Sequence, residues 1–254
     1  MAARRIAAAV AAVLLAGGAA ALAQIGDGGD PGPPRAGPPP APDRPRQAAR
    51  PPDAAAPRGP LRARILRPVL LRERPGGRVV RRIGTRTGYG SHRALAVVAR
   101  RPGWVGVLTQ HVANSRAAWI PAAAAELLRE RYTLRADLSE RMLVVRRDGR
   151  VVRRIAVAVG RPGTATPTGR FAVTDALLIR RGSGAYGCCV LALTGRQPNV
   201  PQGWSGGDRL AIHGTTNERT VGTRASSGCL RARDSDMRWL IARVRAGAPV
   251  RISA

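Results

Sequence analysis

The sequence contains no lysine, although 43 of its 254 residues are basic. All of these are therefore arginine, whose guanidinium keeps its proton, so an amine nucleophile and Schiff-base chemistry are excluded. Acidic residues number only 15, which leaves a formal net charge of +28, and aromatic residues make up only 3% of the chain. Because the arginines are scattered over all regions and few aromatic side chains are present to stack on bases, the composition favours a solvated basic surface and no nucleic-acid partner.

Cysteine and histidine are also scarce, with three of each. Cys229 follows His213 by sixteen residues, whereas His92 and His111 lie far upstream. A neighbouring imidazole can take the proton of a thiol and later protonate a leaving group. The spacing therefore predicts that Cys229 is a nucleophile and that His213 is its general base and then its acid. The structural alternative is a buried cysteine and a surface histidine that never meet.

The other two cysteines, Cys188 and Cys189, are adjacent in an apolar run and are expected to be buried as small hydrophobic residues. Their oxidation state is open. With three cysteines at least one is unpaired, and a reactive Cys229 has to be that free thiol. A bond from Cys229 to either neighbour would inactivate the site, and it is disfavoured because adjacent side chains on a strand point to opposite faces.

The first 60 residues contain no predicted domain. Residues 1–23 carry Arg4 and Arg5, an apolar stretch and a small-residue end, which is typical of a secretory signal peptide, with an uncleaved membrane anchor as the alternative. Only an uncleaved anchor would give the protein a membrane partner. Residues 24–60 form a proline-rich segment that cannot build a core, and 12 of the 21 prolines lie between Asp30 and Pro60. We therefore expect an exported protein in the cell wall or a periplasm-like space, and a monomer.

Two folded modules are predicted downstream. Residues 61–122 show short apolar runs separated by turn signals, which indicates a small antiparallel β module similar to a bacterial SH3-like barrel. Trp104 and Trp119 are expected to pack its core, with a wall-binding groove as the alternative. Residues 123–254 form the second module. It begins with the stretch Pro121–Arg131, which is interpreted as a short helix or linker.

The second module is predicted to be mainly β with few helices. Asp148-Gly149 joins two β-rich runs and is typical of a tight hairpin turn. A later apolar run delivers His213 at a strand end, and the tail after Arg233 has helical spacing with Asp234 as its N-cap. The run after the hairpin is expected to place four residues on one face: Val151, Ile155, Val157 and Val159.

The segment HGT, a ten-residue spacer and S-x-G-C-x-R, preceded by VG-x-P-x-x-x-TPTG-x-F, resembles the L,D-transpeptidase catalytic domain of the YkuD type. The resemblance covers about Tyr132 to Ala254 and implies a β-sandwich-like fold. It also implies a two-step acyl transfer on peptidoglycan peptide stems through a thioester, with loss of D-alanine and formation of a 3→3 cross-link, and with no metal or other cofactor. Hydrolysis or detachment of a wall protein by the same thiol, and a non-catalytic protein bound to anionic wall polymers, are the alternatives.

Supporting roles follow from the same residues. The backbone around Gly214 and Thr215 is expected to accept the second imidazole N–H, and backbone donors at Ser227, Gly228 and Cys229 are expected to form an oxyanion hole. Ser226 is expected to hydrogen-bond within its own loop. Serine at position 227 departs from the histidine usual in the family, which leaves His213 as the only base.

Three further residues are candidates for substrate contact. Arg231 lies two residues past the nucleophile, where the family has a residue that supports the site or a substrate carboxylate, and a surface arginine is the alternative. Tyr186 lies where the family has an active-site flap, and packing on its own hairpin is the alternative. Trp204, at the edge of a glycine-rich loop, has the same two interpretations.

Overall fold

The computed structural model describes residues 59–183, 185–200 and 207–254. The predicted signal peptide, the proline-rich segment up to residue 58 and Trp204 lie outside the described residues. Within the described part of the chain, no helix has the length and apolar character needed to cross a membrane. Both modules belong to one compact unit.

The upstream sheet has seven antiparallel strands. They are β1 Leu61–Ile65, β2 Val69–Arg72, β3 Val79–Ile83, β4 Ala94–Arg101, β5 Trp104–Leu108, β6 Ala117–Pro121 and β7 Ala125–Arg129. Their order across the sheet is β3-β2-β6-β5-β4-β1-β7. Their apolar side chains alternate with exposed ones and close over a core that includes Leu71, Leu95, Val107 and Ile120.

Trp104 and Trp119 do not pack in this core, so that expectation was wrong. Their strand neighbours Val105 and Ile120 are buried, and because side chains alternate along a strand, both tryptophans lie on the opposite, partly exposed face. There the guanidinium of Arg101 lies 5.9 Å from the ring centre of Trp119. Neither tryptophan is enclosed.

The helix or linker expected at Pro121–Arg131 was also wrong. Ala122–Ala124 make a single 3-10 turn, and the residues that follow form β7, which pairs with β1 from Ala125↔Ile65 to Arg129↔Leu61. Alanine favours helix, but here the backbone hydrogen bonds of a sheet edge outweigh that local preference. The upstream sheet therefore ends at Arg129.

The downstream sheet has eight strands in the order β10-β9-β8-β17-β12-β13-β14-β16, with β8–β17 and β14–β16 parallel. One α-helix, α1 Asp234–Ile241, packs on β13 and β12. Strands β11 and β15 form a separate, small parallel pair. The strands are β8 Tyr132–Asp137, β9 Met142–Arg147, β10 Arg150–Ala156, β11 Val159–Gly160, β12 Gly169–Ser183, β13 Gly187–Arg196, β14 Arg209–His213, β15 Arg224–Ser226, β16 Leu230–Arg231 and β17 Pro249–Ser253. The mainly β prediction is confirmed.

Local turn chemistry explains the first hairpin. Asp148 and Gly149 both have positive φ, at 50° and 84°, which is the backbone of a tight two-residue turn between β9 and β10. Val151 is 40% exposed, although Ile155, Val157 and Val159 are buried. A register shift between Val151 and Arg153 breaks the alternation, so the prediction that Val151 shares a face with the other three residues was wrong.

The downstream core is built from alternate residues of these strands and from the inner face of α1. Phe171, the one phenylalanine of the sequence, is 1% exposed and packs with Leu193 and Leu210. From the helix, Met237 and Leu240 enter the same core without measurable exposure. This packing fixes β13, β14 and β16, which carry the candidate site at one end of the sheet.

Candidate active site

The structure brings Cys229 and His213 to one cleft. His213 ends β14, Cys229 immediately precedes β16, and the two strands run parallel with His213 opposite Arg231. Both side chains line a cleft of about 70 Å³ together with Tyr186, Ser227 and Arg231. Long-range strand pairing therefore joins a thiol and an imidazole that the sequence separates by sixteen residues.

His213 is held as a neutral imidazole. It is only 3% exposed, and its Nδ1 lies 2.6 Å from the carbonyl oxygen of Gly214. A carbonyl can only accept, so Nδ1 carries the proton and Nε2 is left as an acceptor. Burial and, to a smaller extent, the nearby Arg231 charge lower the pKa of His213 to about 4, against the opposing effect of the Gly214 bond. At neutral pH the ring is therefore ready to accept a proton.

Cys229 is the free thiol among the described cysteines, and it is partly exposed in the cleft. Its Sγ lies 3.8 Å from the carbonyl oxygen of Arg209. Burial raises the pKa of the Cys229 thiol, whereas the backbone N–H of Ala211 and the charge of Arg231 lower it. The raised thiol pKa and the lowered imidazole pKa together indicate a resting pair in which both groups are neutral.

The loop before Cys229 is braced by Ser226. The Ser226 hydroxyl is fully buried, donates to the carbonyl of Cys229 at 2.6 Å and accepts from the N–H of Gly228 at 3.1 Å. The expected hydrogen bonding of Ser226 within its loop is thus present. Because the N–H of Gly228 already donates to the Ser226 hydroxyl, it is not a free donor for an oxyanion. The prediction that Gly228 contributes to the oxyanion hole is corrected accordingly.

Gly228 has a structural reason to be glycine. Its φ is +118°, and a Cβ at this position would overlap the side-chain amide of Gln197. Gln197 is 3% exposed and donates from Nε2 to the carbonyls of Thr164 at 3.1 Å and Ala165 at 2.9 Å. The close approach at Gly228 is therefore made by Gln197, which ties the nucleophile loop to the loop that follows β11.

Asp234 ties the chain after the His213 strand to the start of β13. Its carboxylate accepts from the N–H groups of Cys188, at 3.0 Å, and Thr215, at 3.2 Å. It begins α1 but makes no side-chain cap, since the N-cap position is Arg233, so the predicted capping role was wrong. Of the two residues expected to hold the imidazole, Gly214 contacts it, whereas the N–H of Thr215 binds Asp234.

Cys188 and Cys189 form a disulfide with each other at the start of β13. Both are buried, as expected, with 6% and 0% exposure. Neither is bonded to Cys229. The carbonyl of Cys189 accepts from the N–H of Gly214 at 3.0 Å, which places the disulfide directly behind the strand end that carries His213.

Two of the three predicted substrate contacts lie in the cleft. The Tyr186 ring packs edge-on against His213, with ring centres 4.9 Å apart, so it does not merely pack on its own hairpin. Arg231 lines the cleft and has a buried Nε without a hydrogen-bond partner in the described part of the chain. Trp204 lies outside the described residues.

Sequence reasoning missed Gln197, Arg209 and the carboxylate role of Asp234. Gln197 lies in a polar stretch without any motif, and Arg209 is one arginine among many. Their partners are distant in the chain, so no local pattern marks them. Among the described residues, no group of three or more histidine, cysteine or acidic side chains is placed to hold a metal ion.

Fold and cleft together define a mainly β protein with a thiol and an imidazole at one end of its sheet. Residues 131–252 match the model of the YkuD family, the L,D-transpeptidase catalytic domain. This match identifies residues 131–252, just under half of the chain, as an L,D-transpeptidase catalytic domain of the YkuD type.

Individual proteins are similar to parts of this chain. YkuD of Bacillus subtilis (strain 168), assigned as an L,D-transpeptidase, is 28% identical over 122 residues, which cover 48% of this chain and 66% of that protein. L,D-transpeptidase 3 of Mycobacterium tuberculosis is 16% identical with a TM-score of 0.41, covering 54% of this chain and 73% of that one. An L,D-transpeptidase of Mycobacterium smegmatis is also 16% identical with a TM-score of 0.41, covering 65% and 92%.

Proposed function

We propose that this protein is an exported L,D-transpeptidase that uses Cys229 to transfer an acyl group between peptide stems of peptidoglycan. The observation that carries the proposal is the shared cleft of the Cys229 thiol and the neutral His213 imidazole, within a domain of the L,D-transpeptidase family. The proposal needs no metal and no other cofactor, because thiol and imidazole supply the nucleophile, the base and the acid.

In the proposed first step, His213 Nε2 takes the thiol proton as Cys229 Sγ attacks the carbonyl that precedes the terminal D-alanine of a tetrapeptide stem. The carbon–nitrogen bond then breaks, D-alanine leaves with a proton from His213, and a thioester remains on Cys229. The pKa directions favour proton transfer during attack over a preformed ion pair, since burial raises the thiol pKa and lowers that of the imidazole.

In the proposed second step, a side-chain amine of the diamino acid in a neighbouring stem attacks the thioester. His213 accepts the amine proton, the carbon–sulfur bond breaks and the thiol is restored, which gives a 3→3 cross-link. The backbone N–H groups of Cys229 and Ser227 are the proposed oxyanion donors, because the Gly228 N–H already binds Ser226. Water in place of the amine would give hydrolysis.

Arg231 and Tyr186 are the proposed substrate contacts. The buried Nε of Arg231 has no partner in the described part of the chain, and the guanidinium fork suits a carboxylate. Tyr186 closes the cleft against the imidazole ring. Substrate would then lie between these two side chains and Cys229.

Export and attraction to anionic wall polymers belong to the same proposal. A formal net charge of +28 would concentrate acidic polymers near the protein. That attraction should weaken with added salt, because the Debye length falls to about 10 Å at 0.1 M.

The proposal is tested by incubating the purified protein with tetrapeptide stems and measuring product masses. We expect stem dimers with loss of D-alanine, and an acyl adduct on the peptide that contains Cys229. Cys229→Ala should lose both, while Cys188→Ala/Cys189→Ala, which removes the disulfide but keeps the free thiol, should retain the adduct.

Other outcomes separate the alternatives. Shortened monomers without dimers would overturn transfer in favour of hydrolysis by the same thiol. Retained binding to wall sacculi with no product and no adduct would overturn the enzyme and favour a wall-binding protein.

A further inference from the structure

A buried carboxylate joins the upstream sheet to the strands that carry the site. Asp175 on β12 has no exposed surface, and its Oδ1 accepts from the hydroxyl of Thr87 in the loop between β3 and β4. Its Oδ2 lies 3.6 Å from Nη2 of Arg209 on β14. One carboxylate therefore faces a hydroxyl of one sheet and a guanidinium of the other.

Thr87 is held in place by its own loop. Its backbone N–H donates to the carbonyl of Ser91 at 2.9 Å, and Arg93 donates to the carbonyls of Gly84 and Arg86 at 2.9 and 2.6 Å. Because these bonds already fix the loop, the Thr87 hydroxyl contacts Asp175 with little additional loss of conformational entropy.

Arg209 connects Asp175 with the nucleophile. Its Nε donates to the carbonyl of Leu193 at 3.0 Å and its Nη2 donates to the hydroxyl of Thr174, so the side chain crosses β13 to reach β12. The backbone carbonyl of the same residue lies 3.8 Å from Cys229 Sγ. A displacement of the Arg209 side chain that shifts its backbone would therefore change the surroundings of the Cys229 sulfur.

The upstream sheet has other contacts that would serve for docking alone. Asn114 exchanges two hydrogen bonds with the backbone of Arg196, and Ser115 accepts from the N–H of Arg170 at 2.9 Å. Neither pair involves a buried charge, although Arg196 is the strand partner of Arg209 on β14. A fully buried carboxylate is costly unless it is paired and hydrogen-bonded. Here Oδ1 accepts from Thr87, whereas Oδ2 has no hydrogen bond among the described residues and relies on the Arg209 guanidinium at 3.6 Å for compensation.

We propose that Thr87, Asp175 and Arg209 form a positioning unit through which the upstream sheet fixes strand β14 against the Cys229 thiol. Asp175 forms an ion pair with the Arg209 guanidinium, Thr87 donates to Asp175, and strand β14 brings the Arg209 carbonyl and the N–H of Ala211, two residues further on, to the sulfur. None of the three is a catalytic residue. The upstream sheet then contributes to the reactivity of the thiol.

The test compares Thr87→Val, Thr87→Ser and the control Ser115→Ala in the full chain. Thr87→Val removes the hydroxyl donor at similar volume, Thr87→Ser keeps it, and Ser115→Ala removes an unrelated hydrogen bond between the same two sheets. We expect Thr87→Val to lower kcat about threefold to tenfold with little change in KM, a size typical of coupling through positioning residues. Thr87→Ser should match the unaltered protein.

Alkylation of Cys229 by iodoacetamide gives a second readout that does not depend on substrate. In Thr87→Val the midpoint of the alkylation rate should shift, because displacement of β14 moves both the Arg209 carbonyl, which accepts from the thiol, and the Ala211 N–H, which stabilises the thiolate. Asp175→Asn should move it in the same direction.

The measurement of kcat and KM depends on the proposed function, whereas the alkylation of Cys229 does not. A failure of the positioning unit can therefore be distinguished from a failure of the proposed function. The positioning unit is overturned if Thr87→Val matches Ser115→Ala in alkylation midpoint, or if Thr87→Ser behaves like Thr87→Val. Absence of any turnover in the unaltered protein would overturn the proposed function alone.

Discussion

The side-chain amide of Gln197 occupies the space that a Cβ on Gly228, the residue before the thiol, would need. The approach joins the residue that follows β13 to the nucleophile loop across thirty-one residues of sequence. It explains why this loop needs glycine for space as well as for its φ of +118°.

Gly228→Ala is therefore expected to lower both stability and turnover. Backbone strain in the left-handed region costs about 1–3 kcal/mol, and displacement of Gln197 adds to it. Gly222→Ala is the matched control, because Gly222 has a φ of +83° with open space around its Cα. Urea unfolding should show a larger loss for Gly228→Ala than for Gly222→Ala, and equal losses would contradict the proposed steric conflict.

Local patterns predicted the parts of the fold that local chemistry decides. The Asp148-Gly149 turn, the strand that ends at His213 and the helix after Arg233 all follow from turn preferences and from periodicity within a few residues. The motif around Cys229 brought this residue and His213 together, and in the folded sheet both line one cleft.

Non-local contacts explain the errors. The alanine-rich stretch before Arg131 forms a strand because its backbone pairs with β1, which lies more than fifty residues upstream. Asp234 had the sequence position of a cap, but its carboxylate binds the N–H of Cys188, forty-six residues away. Gln197 and Arg209 act through partners that only the folded sheet brings close, so no sequence pattern marks them.

Asp234→Asn should impair the site more than Asp236→Asn. Asp234 holds the N–H groups of Cys188 and Thr215 on either side of the His213 strand end, whereas Asp236, in the same first turn, pairs with Arg153 at 2.7 Å. An amide oxygen is a weaker acceptor than a carboxylate, and charged hydrogen bonds contribute about 1.5–3 kcal/mol. We expect about a tenfold loss of kcat/KM in Asp234→Asn and less than twofold in Asp236→Asn. Equal losses in steady-state assays would refute this role.

Acid should destabilise the fold through two histidines. Burial lowers the pKa of His213 and of His111 to about 4, whereas an unfolded histidine titrates near 6.5. Between these values the unfolded chain binds more protons than the folded one, so the free energy of unfolding falls as pH falls from about 6.5 to about 4. Above that window the histidine contribution is complete.

The measurement is urea unfolding at several pH values for the unaltered chain, His111→Gln, His213→Gln and the double variant. Each substitution should flatten the pH dependence within the window, and the double variant should be flattest, because glutamine does not titrate. An unchanged slope in the double variant would show that other groups are responsible.

Arg231→Gln should raise KM for the peptide stem far more than it lowers kcat. Its buried Nε has no partner among the described residues and its side chain lines the cleft, so a substrate carboxylate is the expected partner. Charge-assisted hydrogen bonds of about 1.5–3 kcal/mol correspond to a change in KM of about 10- to 150-fold. Arg231→Lys should recover only part of the loss, because lysine lacks the planar fork.

Arg233→Gln is the control for charge alone, since half-exposed Arg233 pairs only loosely with Glu218, at 3.6 Å. The charge of Arg231 also lowers the pKa of the Cys229 thiol, so Arg231→Gln should move the alkylation midpoint of Cys229 to higher pH even without substrate. A raised KM with an unchanged midpoint would limit Arg231 to substrate binding. An unchanged KM would instead remove it from the substrate site, because no other effect of the substitution is expected to compensate for a lost carboxylate contact.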